Sequence, residues 1–173
     1  MAIKTMAASS GDGKWSEGWH KMFIKSAEYG DWNGSKFIEC KFDDYPANFT
    51  LRIYEQHNKE THEEFNICKL FKLANAGIID KVKSPDGKEA IQFDDDPINL
   101  EGKSINLFFY KNAEGYNRMS DRIAPVEQQG KVLSYTKDDV FFWKQIAEKH
   151  YEERLKADAP ATKPTTEEEE IPF

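Results

Sequence analysis

The chain has 173 residues, a formal net charge of −7 and two cysteines. That length fits one folded domain with appendages and is sufficient for an apolar core. The acidic balance argues against a strong binder of duplex DNA. The lack of a long apolar run argues against a signal peptide or a membrane span, and two cysteines fit a reducing, cytoplasmic setting.

The N-terminal part of the chain predicts an arm followed by a long strand. Residues 1–14 are small and polar and predict a flexible arm. Residues 15–29 predict a strand with Met22 and Ile24 on one face, and a bulge is expected in a strand of that length. The opposite parity carries Trp19, Lys21, Phe23, Lys25 and Tyr29.

An Asn-Gly pair marks the first hairpin. Asn33 and Gly34 both tolerate positive φ, which a two-residue hairpin loop requires. The pair connects the first strand to a strand over residues 36–43, and a third strand follows over residues 49–56. Three consecutive antiparallel strands form a meander. Its core faces are expected to carry Ile38, Cys40, Phe42, Phe49, Leu51 and Ile53, with Arg52 and Tyr54 on the other side.

The apolar period then changes to that of a helix over residues 65–76, with Gly77 predicted as its C-terminal cap. Residues 90–93 predict a short strand. Residues 103–111 predict a strand with clear alternation, and residues 116–123 a last strand. In the 103–111 strand, Ile105, Leu107 and Phe109 are expected to face inward and Asn106, Phe108 and Tyr110 outward.

A second helix is predicted over residues 136–156. Thr136 is a good N-cap, and the acids that follow suit the first turn of a helix. The positions that would face a core are Val140, Trp143, Ile146, Ala147, Tyr151 and Leu155. Residues 157–173 are too poor in apolar side chains to fold, so we expect a disordered acidic tail there.

Three strands, a helix and further strands are the element order of an OB fold. We therefore predict a mainly β domain over residues 15–126. It would be a five-stranded OB barrel with a helix between strands three and four, and the C-terminal helix would pack outside. Another small antiparallel barrel or a sandwich is the alternative.

The outward faces of the predicted strands pair aromatic rings with basic side chains. Unpaired bases stack on rings while Lys and Arg contact phosphates, which is the composition of a groove for single strands. Such a groove does not need a basic protein, so the net charge leaves it open. Strands also favour aromatic residues for packing, which is the alternative for each ring. The candidates are Trp19, Lys21, Lys25, Trp32, Arg52, Tyr54, Phe108, Tyr110, Tyr116, Arg118 and Arg122.

Metal chemistry is weakly indicated. His57, His62 and Cys68 lie near one another in the chain, but their spacing matches no zinc-finger pattern and Cys40 is distant. Asp94, Asp95 and Asp96, with Asp43 and Asp44, could mimic the magnesium carboxylates of a nuclease. Acid runs of this kind are far more common in solvated turns. We expect no cofactor.

The tail ends with four acids and an apolar tripeptide. Such a segment suits a partner with an apolar hole beside a basic ridge. It resembles the acidic tip of bacterial single-stranded-DNA-binding proteins, and the whole layout resembles phage-encoded members of that class. The body lacks the opening motif and the long Gly- and Gln-rich linker of the bacterial proteins. The tail residues are Glu167, Glu168, Glu169, Glu170, Ile171, Pro172 and Phe173.

This resemblance implies a non-enzymatic protein that coats single-stranded DNA during replication or recombination in the cytoplasm of a bacterial host. It also implies that the tail recruits replication or recombination proteins, such as a polymerase or helicase–primase. A homodimer is left open. Two other classes remain: a protein-interaction adaptor that binds no DNA, and a magnesium-dependent nuclease.

Overall fold

The computed structural model describes residues 2–3 and 16–155. The chain is mainly β, with two antiparallel sheets and two α-helices. The larger sheet has five strands in the order β3-β2-β1-β6-β7, and the smaller pairs β4 with β5. The strands are β1 Gly18–Trp32, β2 Ser35–Phe42, β3 Thr50–Tyr54, β4 Ile78–Lys83, β5 Glu89–Phe93, β6 Ser104–Lys111 and β7 Asn117–Met119; the helices are α1 Asn66–Ala74 and α2 Lys137–His150.

Strand β1 connects the two halves of the larger sheet. Its first part pairs with β6, from Gly18 to Phe23, and its second part pairs with β2. Between Ile24 and Ser26 the register shifts by one residue, which is the predicted bulge. An extra residue bends a strand and increases its twist, so β1 can serve two strand pairs in different directions.

The meander β1-β2-β3 is confirmed. Asn33 and Gly34 form its first turn with φ of 51° and 80°, the positive values that a two-residue hairpin loop needs. The alternation of buried side chains follows the predicted faces, and these side chains form the main core together with α1. The fully or almost fully buried members include Ile24, Ile38, Cys40, Phe42, Leu51, Ile53, Ile105, Leu107 and Phe109 from the sheet and Leu70, Phe71 and Leu73 from α1.

Helix α1 follows β3, as predicted, but its ends differ from the sequence prediction. The Glu64 carboxylate accepts hydrogen bonds from the backbone N–H groups of Asn66, Ile67 and Cys68 at 2.9–3.0 Å. At the other end, Asn75 rather than Gly77 is the left-handed cap, with φ 56° and ψ 46°. Asn tolerates this conformation, so it can end the helix without a glycine.

Two strands depart from the prediction. Strand β4 was missed because Ile-Ile-Asp-Lys-Val-Lys mixes apolar and charged residues without regular alternation, and only its pairing with β5 makes it a strand. Strand β7 is three residues long, shorter than the predicted residues 116–123. After it, Ala124 forms an isolated antiparallel bridge with Asn106. That segment and Pro125 bury the Asn106 side chain, whose amide donates to the Pro125 carbonyl at 2.8 Å.

Helix α2 begins as predicted. The Thr136 side chain and Asp139 form a reciprocal capping box, which satisfies two of the free N–H groups at the helix start. After His150 the helix continues as a π-helical turn, Tyr151–Leu155. Of its residues only Ala147 is fully buried, so α2 lies on the domain surface.

The closed barrel is not confirmed. Within residues 16–155 the outer strands of the larger sheet, β3 and β7, are not paired with each other. The residues of the predicted acidic tail, 157–173, and most of the predicted arm lie outside the described part of the chain. No helix among the described residues is long and apolar enough to cross a membrane.

Gly77 and Gly87 offer a matched test of a close backbone approach. Both have positive φ, 65° and 84°, but a Cβ at Gly77 would overlap the Asp94 carbonyl oxygen, whereas a Cβ at Gly87 meets nothing within 4 Å. Gly87→Ala should cost about 1 kcal/mol of conformational strain, and Gly77→Ala about 1–3 kcal/mol more because the backbone must move. Urea unfolding of both variants measures the difference; equal losses would contradict the close approach.

Candidate nucleic-acid interface

The sequence-predicted binding residues do not form one surface. One group lies beneath α2, a second on the outer face of the meander, and a third at the β6–β7 turn. Two lysines lie along β1, Trp32 lies at its end beside the hairpin turn, and Arg122 lies apart, between the helices.

Helix α2 covers the first group. The Trp19 indole Nε1 donates to Glu148 Oε2 at 2.7 Å, and Lys144 Nζ lies 5.5 Å from the Trp19 ring. The Tyr151 ring packs 5.3 Å from that of Phe108 and 5.4 Å from that of Tyr110. Tyr110 is only 6% exposed. These rings lie on the predicted side of their strands but are packing surfaces for α2, so the prediction that Tyr110 is available to solvent is wrong.

The second group surrounds Phe37 on the outer face of β2 and β3. The Arg52 guanidinium lies 4.2 Å from the Phe37 ring, and the Tyr54 ring lies 5.3 Å from it. Phe37 is paired with Gly30 on β1 and with Tyr54 on β3. Gly30 has no side chain to compete with the ring, so Phe37 lies flat over the sheet and is 6% exposed. We call Phe37, Arg52 and Tyr54 the meander patch.

Arg52 in the meander patch is already paired. Its Nε donates to Glu39 Oε1 at 2.8 Å, and the two side chains are 26% and 16% exposed. The hydrogen bond to Glu39 raises the pKa of Arg52 above its ordinary value. The pair fixes the guanidinium over the Phe37 ring, but the Glu39 charge also weakens the attraction of the patch for a phosphate.

The third group is the most open. Tyr116 is 58% exposed, and the Arg118 guanidinium lies 5.6 Å from its ring. Asn112 builds this turn because its Oδ1 accepts from the N–H groups of Glu114 and Tyr116 at 3.0 and 2.9 Å. Tyr116 and Arg118 therefore present a ring and a cation side by side; we call them the turn pair.

Strand β1 and its hairpin supply further exposed groups. Lys21 and Lys25 are exposed, as predicted. Lys21 Nζ lies 5.4 Å from the ring of Phe23, which is 47% exposed. Trp32 is 42% exposed beside the hairpin turn. Phe23 and Phe37 were not among the predicted binding residues, although their outward parity in β1 and β2 could have indicated both.

Arg122 does not share the surface of Tyr116 and Arg118. The chain leaves the sheet after β7, so the alternation predicted over residues 116–123 ends there. The Arg122 Nε is buried and has no hydrogen-bond partner in the described part of the chain. Arg122 lines a small cavity with Lys69 and Trp143.

The described residues do not bring together three or more His, Cys, Asp or Glu side chains that could hold a metal ion. Burial raises the pKa of the Cys40 thiol to about 12 and that of Cys68 to about 11. Thiols are poor metal ligands until they are deprotonated. In the acid run, Asp94 and Asp96 accept hydrogen bonds from the N–H groups of Asp96 and Ile98, as in ordinary turns.

The predicted partner-binding residues, 167–173, lie outside the described part of the chain. Comparison with family models, with curated proteins and with solved structures gave no match.

Both thiols should react slowly in the folded protein. With a pKa of about 11, the Cys68 side chain is thiolate in about one protein molecule in a thousand at pH 8. At the ordinary thiol pKa of 9.0 the thiolate fraction would be about one in ten. We expect iodoacetamide labelling of Cys68, followed by peptide mass spectrometry, to rise about tenfold per pH unit from pH 8 to pH 10. Cys40 should stay unlabelled until urea unfolds the chain. A plateau for Cys68 near pH 9 would contradict the raised pKa.

Proposed function

We propose that this protein binds single-stranded DNA without sequence preference, through an OB-type domain, and recruits replication or recombination proteins through residues 167–173. The observation that carries the proposal is the turn pair, in which the exposed Tyr116 ring lies beside the Arg118 guanidinium. The resemblance of the chain's layout and tail sequence to those of phage-encoded single-stranded-DNA-binding proteins agrees with this function.

The strand order supports an OB-type domain. In an OB fold the first strand is shared between the second and fourth strands, and the fifth strand follows the fourth across the sheet. The order β3-β2-β1-β6-β7, with α1 after β3, has this arrangement if β4 and β5 are an inserted hairpin. OB barrels are partly open, so unpaired β3 and β7 edges are compatible with the proposal.

The positions of the ring–cation groups follow from that correspondence. OB domains bind oligonucleotides on the face of strands two and three and with the loops after strands one and four. In this correspondence the meander patch would occupy that face and Trp32 would adjoin the first loop. Tyr116 would end the loop between β6 and β7, with Arg118 beside it in β7. A strand crossing this surface would stack bases on Tyr54 and Tyr116 while Arg118 contacts phosphate.

The chemistry of these groups favours binding without sequence preference. Every base has a face that can stack on a ring, and Lys or Arg attracts any phosphate. A protein of net charge −7 would repel nucleic acid at long range, so the local rings must carry much of the affinity. That balance favours unstacked single strands over duplex, whose bases are not accessible to rings.

An adaptor that binds protein rather than DNA is the second candidate. It is favoured by the apolar surface of α2, where Phe141, Phe142 and Ile146 are 60%, 55% and 40% exposed. Exposed apolar patches of this kind often mark protein contacts. The two functions are separable because this surface does not include the meander patch or the turn pair.

A fluorescence titration tests the proposed function directly. We expect oligo-dT to quench tryptophan emission, duplex of equal length to leave it unchanged, and the apparent affinity to fall as salt is raised. The fall arises because bound phosphates release their counterions. If the folded, full-length chain responds to neither nucleic acid, the single-strand proposal is wrong and the adaptor becomes the leading candidate.

Tyr116 and Phe141 form a matched pair for locating the surface, because the two rings are 58% and 60% exposed. Replacing a ring that stacks on a base costs about 1–3 kcal/mol, or roughly 5- to 150-fold in affinity. We therefore expect Tyr116→Ala to weaken oligo-dT binding by that factor and Phe141→Ala to leave it unchanged. The opposite result would mean that single-stranded DNA binds to α2 rather than to the sheet.

A further inference from the structure

A small niche lies between α1 and α2. It encloses a cavity of about 30 Å³ lined by residues that include Asn66, Lys69, Arg122, Trp143 and Ala147. The Arg122 Nε in its wall is buried and has no hydrogen-bond partner among residues 16–155. A buried donor without an acceptor is destabilising, so a ligand that brings an acceptor to Arg122 would remove that penalty.

The niche has an excess of positive charge. Lys69 Nζ lies 5.8 Å from the Trp143 ring. Burial and the charge of Arg122 lower the pKa of Lys69, and Asp121 only partly opposes them. Burial and Arg122 also lower the pKa of His150. The carboxylates that act on these two groups are Asp121 and Glu153, and they are outnumbered by the cations Lys69, Lys72, Arg122 and Arg154, which makes the niche suitable for an anion.

An apolar groove opens beside the niche and shares Lys69 and Trp143 with it. The groove has a volume of about 570 Å³, and its apolar walls are formed by Phe65, Ile91 and Phe93 with the Trp143 ring. Lys72 adds a cation at its edge. Glu63 and Glu64 also border the groove. The Glu64 carboxylate is occupied by four backbone N–H groups, those of Gln56, Asn66, Ile67 and Cys68.

We propose that the niche and groove together are the docking site for residues 167–173 of the same chain. A ligand that occupies both sites needs an anionic group for the niche, followed by an apolar group for the groove. Residues 167–173 have this order, with four glutamates followed by Ile171, Pro172 and Phe173. A glutamate carboxylate accepts from Arg122 and Lys69, and the Phe173 ring lies between Phe65, Phe93 and Trp143.

The length of the chain permits this contact. Leu155 ends the described helix about 12 Å beyond Ala147, at 1.5 Å per residue. Glu167 follows Leu155 after a further twelve residues, which can span at most about 40 Å. Because the segment is tethered to its site, its effective concentration is high and a weak contact is sufficient.

The docking site is separate from the proposed strand surface, and the inference does not rest on strand binding. A partner that takes residues 167–173 must first remove them from the groove, whereas a bound single strand need not. Residues 167–173 would thus be protected from partners by the folded domain of the same chain.

Paramagnetic broadening in the full-length chain tests the contact. A spin label on Thr166→Cys, beside the acids, should reduce the amide signals of Lys69, Arg122 and Trp143 to less than half. Arg122→Gln should restore these signals, and Arg118→Gln should not. Should Arg122→Gln fail to fold, replacing all four glutamates with Gln must restore the signals instead.

Three results would overturn the proposal. The first is broadening centred on Tyr54 and Tyr116, which would place the tip on the strand surface. The second is the absence of broadening in the described residues of the niche. The third is broadening in a mixture of labelled, unenriched chain with unlabelled, ¹⁵N-enriched chain, which would make the contact intermolecular. Adding oligo-dT should leave the niche signals broadened. Failure of the oligo-dT fluorescence titration would therefore contradict the proposed function without contradicting the docking of residues 167–173.

Discussion

The bend in β1 is the constraint on which the rest of the structure depends. One continuous strand pairs with β2 through its second part and with β6 through its first, and the extra residue between Ile24 and Ser26 allows the change of direction. Without that bend the meander and the β6–β7 hairpin could not enclose one core with α1. The meander patch and the turn pair owe their positions to the same strand, because each lies on a partner of β1 or one strand beyond.

Local chemistry explains what could be predicted from the sequence. The Asn33-Gly34 turn, the alternation of Ile38, Cys40 and Phe42, and the Thr136 cap each depend on a few consecutive residues, and each was found as predicted. The bulge in β1 followed from strand length alone. Signals of this kind arise from backbone conformation and from the period of a strand or helix, which do not depend on the rest of the fold.

Long-range packing explains what could not be predicted. Tyr110 has the expected parity, yet Tyr151 covers it from 41 residues further along the chain. Strand β4 exists because β5 pairs with it, and Arg122 faces the helices because the chain turns away after β7. Parity tells on which side of a strand a side chain lies; it does not tell what covers that side. The candidate interface was therefore predicted in composition but not in extent.

The described tryptophans occupy three different environments. Trp32 is open beside the hairpin, Trp19 donates to Glu148 beneath α2, and Trp143 lies against Lys69 at the niche. Indole emission responds to the polarity and charge around each ring, so these three of the chain's four tryptophans report on three places. An event at the hairpin, a displacement of α2 or a change in the niche would each alter the surroundings of one of these rings. The placement of these rings gives the protein built-in probes of three separate regions.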